Sequence, residues 1–120
     1  MPHVILVAED DAATLAGLAT YLHEAGFSVV PAANFADARR LLVFARPDVL
    51  IADVRLGEYN GLQLVVHARA LQPPPAAIVT SGFSDPVIEA EARQMDATFL
   101  LKPVDPTRLL ALIRRMVAHR

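Results

Sequence analysis

Cysteine is absent from the 120 residues, so neither a disulfide framework nor a thiolate metal site is available, and the chain suits a reducing compartment. A basic excess is missing too. Lys and Arg number 11 against 13 Asp and Glu, a formal net charge of −2, and apart from the pairs Arg39-Arg40 and Arg114-Arg115 the cations are scattered. Without an electrostatic footprint, direct contact with nucleic acid is not expected. The opening MPHVILVAEDD meets three acids after too few apolar residues for a signal peptide or a membrane span, which predicts a soluble, cytoplasmic protein without membrane contact. No internal repeat or linker-like stretch interrupts the chain. The first apolar run is followed by the acidic AEDDAAT rather than a glycine-rich phosphate loop, which disfavours nucleotide binding.

What is present is a strongly apolar composition, 54% hydrophobic against 20% charged, which excludes a disordered segment and points to a sheet covered on both faces. Length alone predicts one domain, residues 1–120, with one core. Short runs rich in Val, Ile and Leu alternate with segments of helical periodicity: HVILVA (3–8), FSVVP (27–31), DVLIA (48–52), AAIVT (76–80) and TFLL (98–101). Between the first two, Leu15, Leu18, Ala19 and Leu22 fall on one helical face, and Gly26 closes the helix. Asn34 can cap a second helix reaching about Ala45 before Pro47. Asn60 with Gln63 reads as a capping box for a third, stopped by QPPP at 72–75. Asp85-Pro86 and Asp105-Pro106 each set a cap before a first-turn proline. The order is (βα)5, an α/β chain with a parallel sheet.

In open α/β sheets ligands bind beyond the carboxyl ends of the strands. The residues there are Glu9, Asp10 and Asp11 after the first run, Asp53 after the third, Thr80 and Ser81 after the fourth, and Lys102 after the fifth. A carboxylate such as Asp53, delivered by the run Val49-Leu50-Ile51-Ala52, needs water, a metal or a partner beside it. Hard oxygens from Glu9, Asp10 and Asp53 suit Mg²⁺, and a metal there would offset the repulsion between acids and an incoming phosphoryl group. Asp53 can then act as nucleophile, Thr80 as a hydrogen-bond donor to one phosphoryl oxygen and Lys102 as a point charge for another. Taken singly, Asp11 also reads as a helix cap, Thr80 as a strand end and Lys102 as a solvated lysine. The four histidines, His3, His23, His67 and His119, show no ligand spacing and read as structural or exposed.

With Glu9-Asp10 after ILVA, Asp53 after DVLIA, Gly61, Thr80 in IVTSG and Lys102-Pro103 in FLLKPVD, the chain resembles a response-regulator receiver domain of two-component signalling over essentially its whole length. The resemblance implies a flavodoxin-like, doubly wound, five-stranded parallel sheet in the order 2-1-3-4-5. It implies that Asp53 accepts a phosphoryl group from the phosphohistidine of a histidine kinase or phosphotransfer protein, with Mg²⁺ bound by Glu9, Asp10, Asp53 and the backbone carbonyl of Arg55. It further implies that Thr80 and the ring of Phe99 relay the change to the face of helix four, strand five and helix five, which meets a downstream protein, an effector domain or a second copy in a dimer. Lys102-Pro103 is expected to be cis.

Three positions depart from the family pattern. Glu9 stands where Asp is more frequent, Leu56-Gly57 where Met-Pro is frequent, and Phe99 where Tyr is frequent. The second removes a rigid φ from the loop after Asp53, so a more mobile loop with altered metal affinity or phosphoryl lifetime is expected. A pseudo-receiver, a constitutive interaction module never phosphorylated, is the alternative, and the presence of Asp10, Asp53, Thr80 and Lys102 counts against it. An aspartate-nucleophile phosphatase would need a second acid at position 55, which is Arg55; a phosphoacceptor domain rather than an enzyme is expected. Glu89, Glu91, Arg93, Arg108, Arg114 and Arg115 read as a solvated helix surface in preference to a partner face.

Overall fold

A computed structural model describes residues 2–120. Strands β1 (Val4–Ala8), β2 (Ser28–Ala32), β3 (Val49–Asp53), β4 (Ala76–Ser81) and β5 (Ala97–Leu101) form one parallel sheet in the order β2-β1-β3-β4-β5. Helices α1 (Ala12–Glu24), α2 (Phe35–Ala45), α3 (Gly61–Arg69), α4 (Pro86–Gln94) and α5 (Pro106–Val117) connect them. The expected topology is therefore present.

Both faces of the sheet are covered because successive side chains on a strand point to opposite sides. Ile5, Val7, Val49, Ile51 and Ile78 pack with Leu22 of α1 and with Leu109 and Ile113 of α5. Leu6, Ala8, Leu50, Ala52, Ala77 and Val79 face the other way, onto Ala38 and Leu42 of α2, Leu64 and Val65 of α3 and Ala92 of α4. β3, in the centre, is buried along its whole length. That explains the unbroken apolar run before Asp53: a strand covered on both faces has no polar side to alternate with.

Capping acts as the sequence suggests. The Asn34 side chain accepts from the Asp37 amide, Asn60 and Gln63 close a reciprocal capping box, and Asp85 and Asp105 cap α4 and α5 ahead of their prolines. Asp11 accepts from the Thr14 amide at 2.9 Å and is the N-cap of α1. Gly26 takes φ +101° after α1, and Lys102-Pro103 is cis.

One element was not expected. Arg55–Leu56 and Tyr59–Asn60 form a small antiparallel hairpin between β3 and α3, with Gly57 at φ +62° in its turn. The loop without its family proline is therefore paired, and the Tyr59 ring stacks on Phe35 of α2 at 4.5 Å between centroids. Directly after the hairpin, the Gly61 amide donates to the Val54 carbonyl at 2.8 Å. A Cβ on Gly61 would collide with the Asp53 carbonyl oxygen and lie 3.4 Å from the Ala52 Cβ, so only glycine lets α3 start against the end of β3.

Two glycines should consequently respond in opposite directions. Gly61→Ala should lower stability by about 1–3 kcal/mol, as forced overpacking against backbone does. Gly17 lies within α1 with open space where its Cβ would sit, and Gly17→Ala should raise stability by about 0.5–1 kcal/mol. Urea midpoints at constant m-value would measure both.

Candidate functional site

Parallel strands end on one edge of the sheet, and the parallel register of β3 and β4 sets Asp53 opposite Thr80. Glu9 and Asp10 follow β1, with the Glu9 amide still bonded to the Ala32 carbonyl of β2 at 3.1 Å. Lys102 follows β5, its amide held by the Ser81 carbonyl at 2.7 Å. Four strand ends thus bring the predicted acids, hydroxyl and lysine to one crevice.

The Lys102 ammonium bridges the acids. Its Nζ donates to Glu9 Oε1 at 2.7 Å and to Asp53 Oδ2 at 3.0 Å. Glu9 and Asp53 are 4% and 8% exposed, whereas the Lys102 side chain keeps 30% exposure. Glu9 uses its second oxygen, Oε2, to accept the Asp11 amide at 3.2 Å. Asp10 is exposed, and its Oδ2 accepts the amide of Gly57, in the hairpin turn, at 3.1 Å. One oxygen from each of Glu9, Asp10 and Asp53 lies within 4.8 Å of the others. Three hard oxygen donors that close fit a small divalent cation such as Mg²⁺.

Electrostatics follow from burial and pairing. Burial pushes the Glu9 carboxyl above its ordinary 4.5, with Lys102 opposing the rise and Asp53 adding to it. Burial alone would lower the Lys102 pKa, but the hydrogen bonds to Glu9 and Asp53 outweigh it and hold the ammonium above 10.5. Asp11 is held below 3.8 by the hydroxyl and amide of Thr14, as its capping position requires. Asp11 therefore belongs to helix α1 rather than to the acidic triad.

The other predicted residues fall where the topology puts them. Thr80 is buried at 7% exposure and lines, with Glu9, Lys102, Leu18 and Leu109, a largely apolar cavity of about 700 Å³ between α1 and α5. Phe99 is half-buried on β5, packed against the α2–α4 side of the core. Arg55 opens the hairpin, its side chain exposed and its guanidinium carbon 4.9 Å from the centroid of the Phe83 ring. His23, His67 and His119 are exposed and His3 is partly so. Arg93, Arg108, Arg114 and Arg115 are exposed as well. The contacts of Gly57 with Asp10 and of Arg55 with Phe83 were not legible beforehand, because each joins loops far apart in the chain.

Comparison with known proteins agrees with this fold. The pattern of the response regulator receiver domain family matches residues 5–114. The transcriptional regulatory protein GlrR of Escherichia coli is 35% identical over 113 residues, covering 93% of this chain and 26% of GlrR; the chain spans about a quarter of that regulator. The structure of the Vibrio cholerae chemotaxis protein CheY4 superposes with a TM-score of 0.86 at 25% identity, covering 97% of this chain and 99% of CheY4. A response regulator protein from Burkholderia pseudomallei, solved with a phosphorylated aspartic acid, calcium ion and citrate, superposes with a TM-score of 0.85 at 27% identity, covering 91% of this chain and 65% of its own. Among the described residues no helix is long and apolar enough to cross a membrane.

The bridging lysine yields a measurable consequence. Lys102→Met leaves Glu9 and Asp53 facing each other without a counter-charge. Breaking a fully buried pair costs about 3–5 kcal/mol; the partial exposure of Lys102 reduces the expected loss at neutral pH to about 1–2 kcal/mol. Because the folded-state pKa of Lys102 lies above its ordinary 10.5, this stabilisation is full below that value and disappears as pH rises through the folded pKa. Urea unfolding of parent and variant should therefore differ at pH 7 and converge at strongly alkaline pH.

Proposed function

The chain belongs to the response regulator receiver domain family, and on that basis we propose that it is a phosphorylation-controlled signalling switch with Asp53 as phosphoacceptor. The observation that supports this most is the placement of Asp53 at the end of a wholly buried strand, with one oxygen on the Lys102 ammonium and two further acids beside it. Residues 1–120 constitute one receiver domain in this reading.

An Asp53 carboxylate oxygen attacks the phosphorus of a phosphohistidine presented by a histidine kinase or phosphotransfer protein. The new O–P bond forms as the P–N bond breaks, and the electron pair returns to the imidazole nitrogen, which then takes a proton. Lys102, already bonded to Asp53 and Glu9, follows the charge onto a phosphoryl oxygen, and the Thr80 hydroxyl donates to another. Glu9, Asp10, Asp53 and the Arg55 carbonyl would hold Mg²⁺, which when bound supplies positive charge against the phosphoryl oxygens.

In response Thr80 moves toward the phosphoryl group and the half-buried Phe99 ring changes rotamer. The face of α4, β5 and α5 is remodelled and exchanges affinity for a downstream protein, an effector domain or a second receiver. A near-complete shift between the two states requires about 5 kcal/mol of differential stabilisation. The domain works as a cytoplasmic relay that modifies no separate substrate in turnover and touches neither nucleic acid nor membrane itself.

Acetyl phosphate with Mg²⁺ provides the test. Intact-mass spectrometry should detect one phosphoryl addition, labile to base, on the parent and none on Asp53→Asn; Glu9→Gln and Asp10→Asn should require several-fold more Mg²⁺ for the same yield. A parent that takes no phosphoryl group and binds no Mg²⁺ would instead be a pseudo-receiver, a constitutive interaction module.

A further inference from the structure

Phe83, in the loop after β4, carries a phenyl ring that is 61% exposed. Its backbone is fixed: the Ser81 hydroxyl accepts the Phe83 amide and donates to the Phe83 carbonyl, each at 3.1 Å, and Ser81 is itself buried. The loop after β4 therefore presents the ring rather than leaving it to drift. The Arg55 guanidinium lies over that ring at 4.9 Å, so a cation–π contact joins the two loops that follow β3 and β4.

Arg55 is the available cation nearest in sequence to Asp53. Among the described residues it has no ion pair, whereas Lys102 is committed to Glu9 and Asp53. Two residues of extended chain span about 7 Å at most, a distance that an arginine side chain covers. Phosphorylation would exchange the single negative charge of Asp53 for about two, carried on three strong acceptor oxygens. Hydrogen bonds between an ion and a phosphoryl oxygen are roughly twice as strong as neutral ones, and the planar guanidinium matches that geometry with two parallel donors. An exposed cation–π contact is weaker than such a pair.

We infer that Arg55 exchanges partners when Asp53 is phosphorylated, leaving the Phe83 ring for the phosphoryl oxygens and thereby freeing the exposed face of that ring. The inference rests on Asp53 being the phosphoacceptor. It gives the Arg55 side chain a role separate from its backbone carbonyl, and it gives the Phe83 ring a route, beside Thr80, by which the state of Asp53 is felt.

Ring currents report the exchange directly, because protons above an aromatic face resonate upfield. In ¹H–¹⁵N spectra of the whole chain, the Arg55 Nε–H signal, assigned by its loss in Arg55→Lys, should lie upfield of its position in Phe83→Leu. After treatment with acetyl phosphate and Mg²⁺, with the adduct confirmed by mass, that signal should move downfield in the parent, and its phosphorylated position should coincide with that in phosphorylated Phe83→Leu. Phe83 is exposed, so Phe83→Leu should keep the parent's urea midpoint. An Arg55 signal that is unmoved in protein carrying the adduct overturns the exchange while leaving phosphorylation intact. Absence of any adduct on the parent overturns the reading beneath it as well.

Discussion

One ammonium group offsets the like charges that the sheet brings together. Glu9 and Asp53 are both nearly excluded from water, and two carboxylates so placed repel each other and resist burial. Lys102 answers both with short bonds, although it lies 93 and 49 residues away in the chain. A parallel sheet in which β1, β3 and β5 end on the same edge delivers those three side chains to one place. The strand order is thus tied to the chemistry of the crevice as well as to the packing of the core.

The two halves of the core contribute differently. The α1–α5 side is built from β-branched residues of the central strands against Leu109 and Ile113, and it carries the cavity that reaches Thr80. On the opposite side α4 contributes a single buried residue, Ala92, and leaves Val87 64% exposed. Light burial leaves α4 weakly restrained by packing, and local stability falls where buried apolar contacts are few. The proposed switch thus remodels a helix with few buried contacts to lose.

Much of the fold was legible because strand and helix signals were reinforced by punctuation. Asn34, Asn60 with Gln63, Asp85-Pro86 and Asp105-Pro106 each marked a helix start that the structure contains. The acids and Lys102 were legible as residues following apolar runs, since a parallel sheet converts that position into one edge. The hairpin was not, because Arg55–Leu56 and Tyr59–Asn60 are two-residue strands too short for any periodicity to register. Nor did spacing reveal that Glu9 and Lys102 make the shorter of the two ion pairs, or that Arg55 lies on Phe83. Those are side-chain choices made after the backbone is in place.

The amide of Gly57 gives the loop departure a meaning that its composition hides. The two acids of the Glu9-Asp10 pair are neighbours in sequence but belong to different structural regimes: one is anchored inward on Lys102, the other outward on a hairpin turn 47 residues away. A proline at position 57 would offer no N–H to Asp10. The position that looked like a missing rigid joint is a donor, and the orientation of Asp10 is set as much by the residue at 57 as by its own strand.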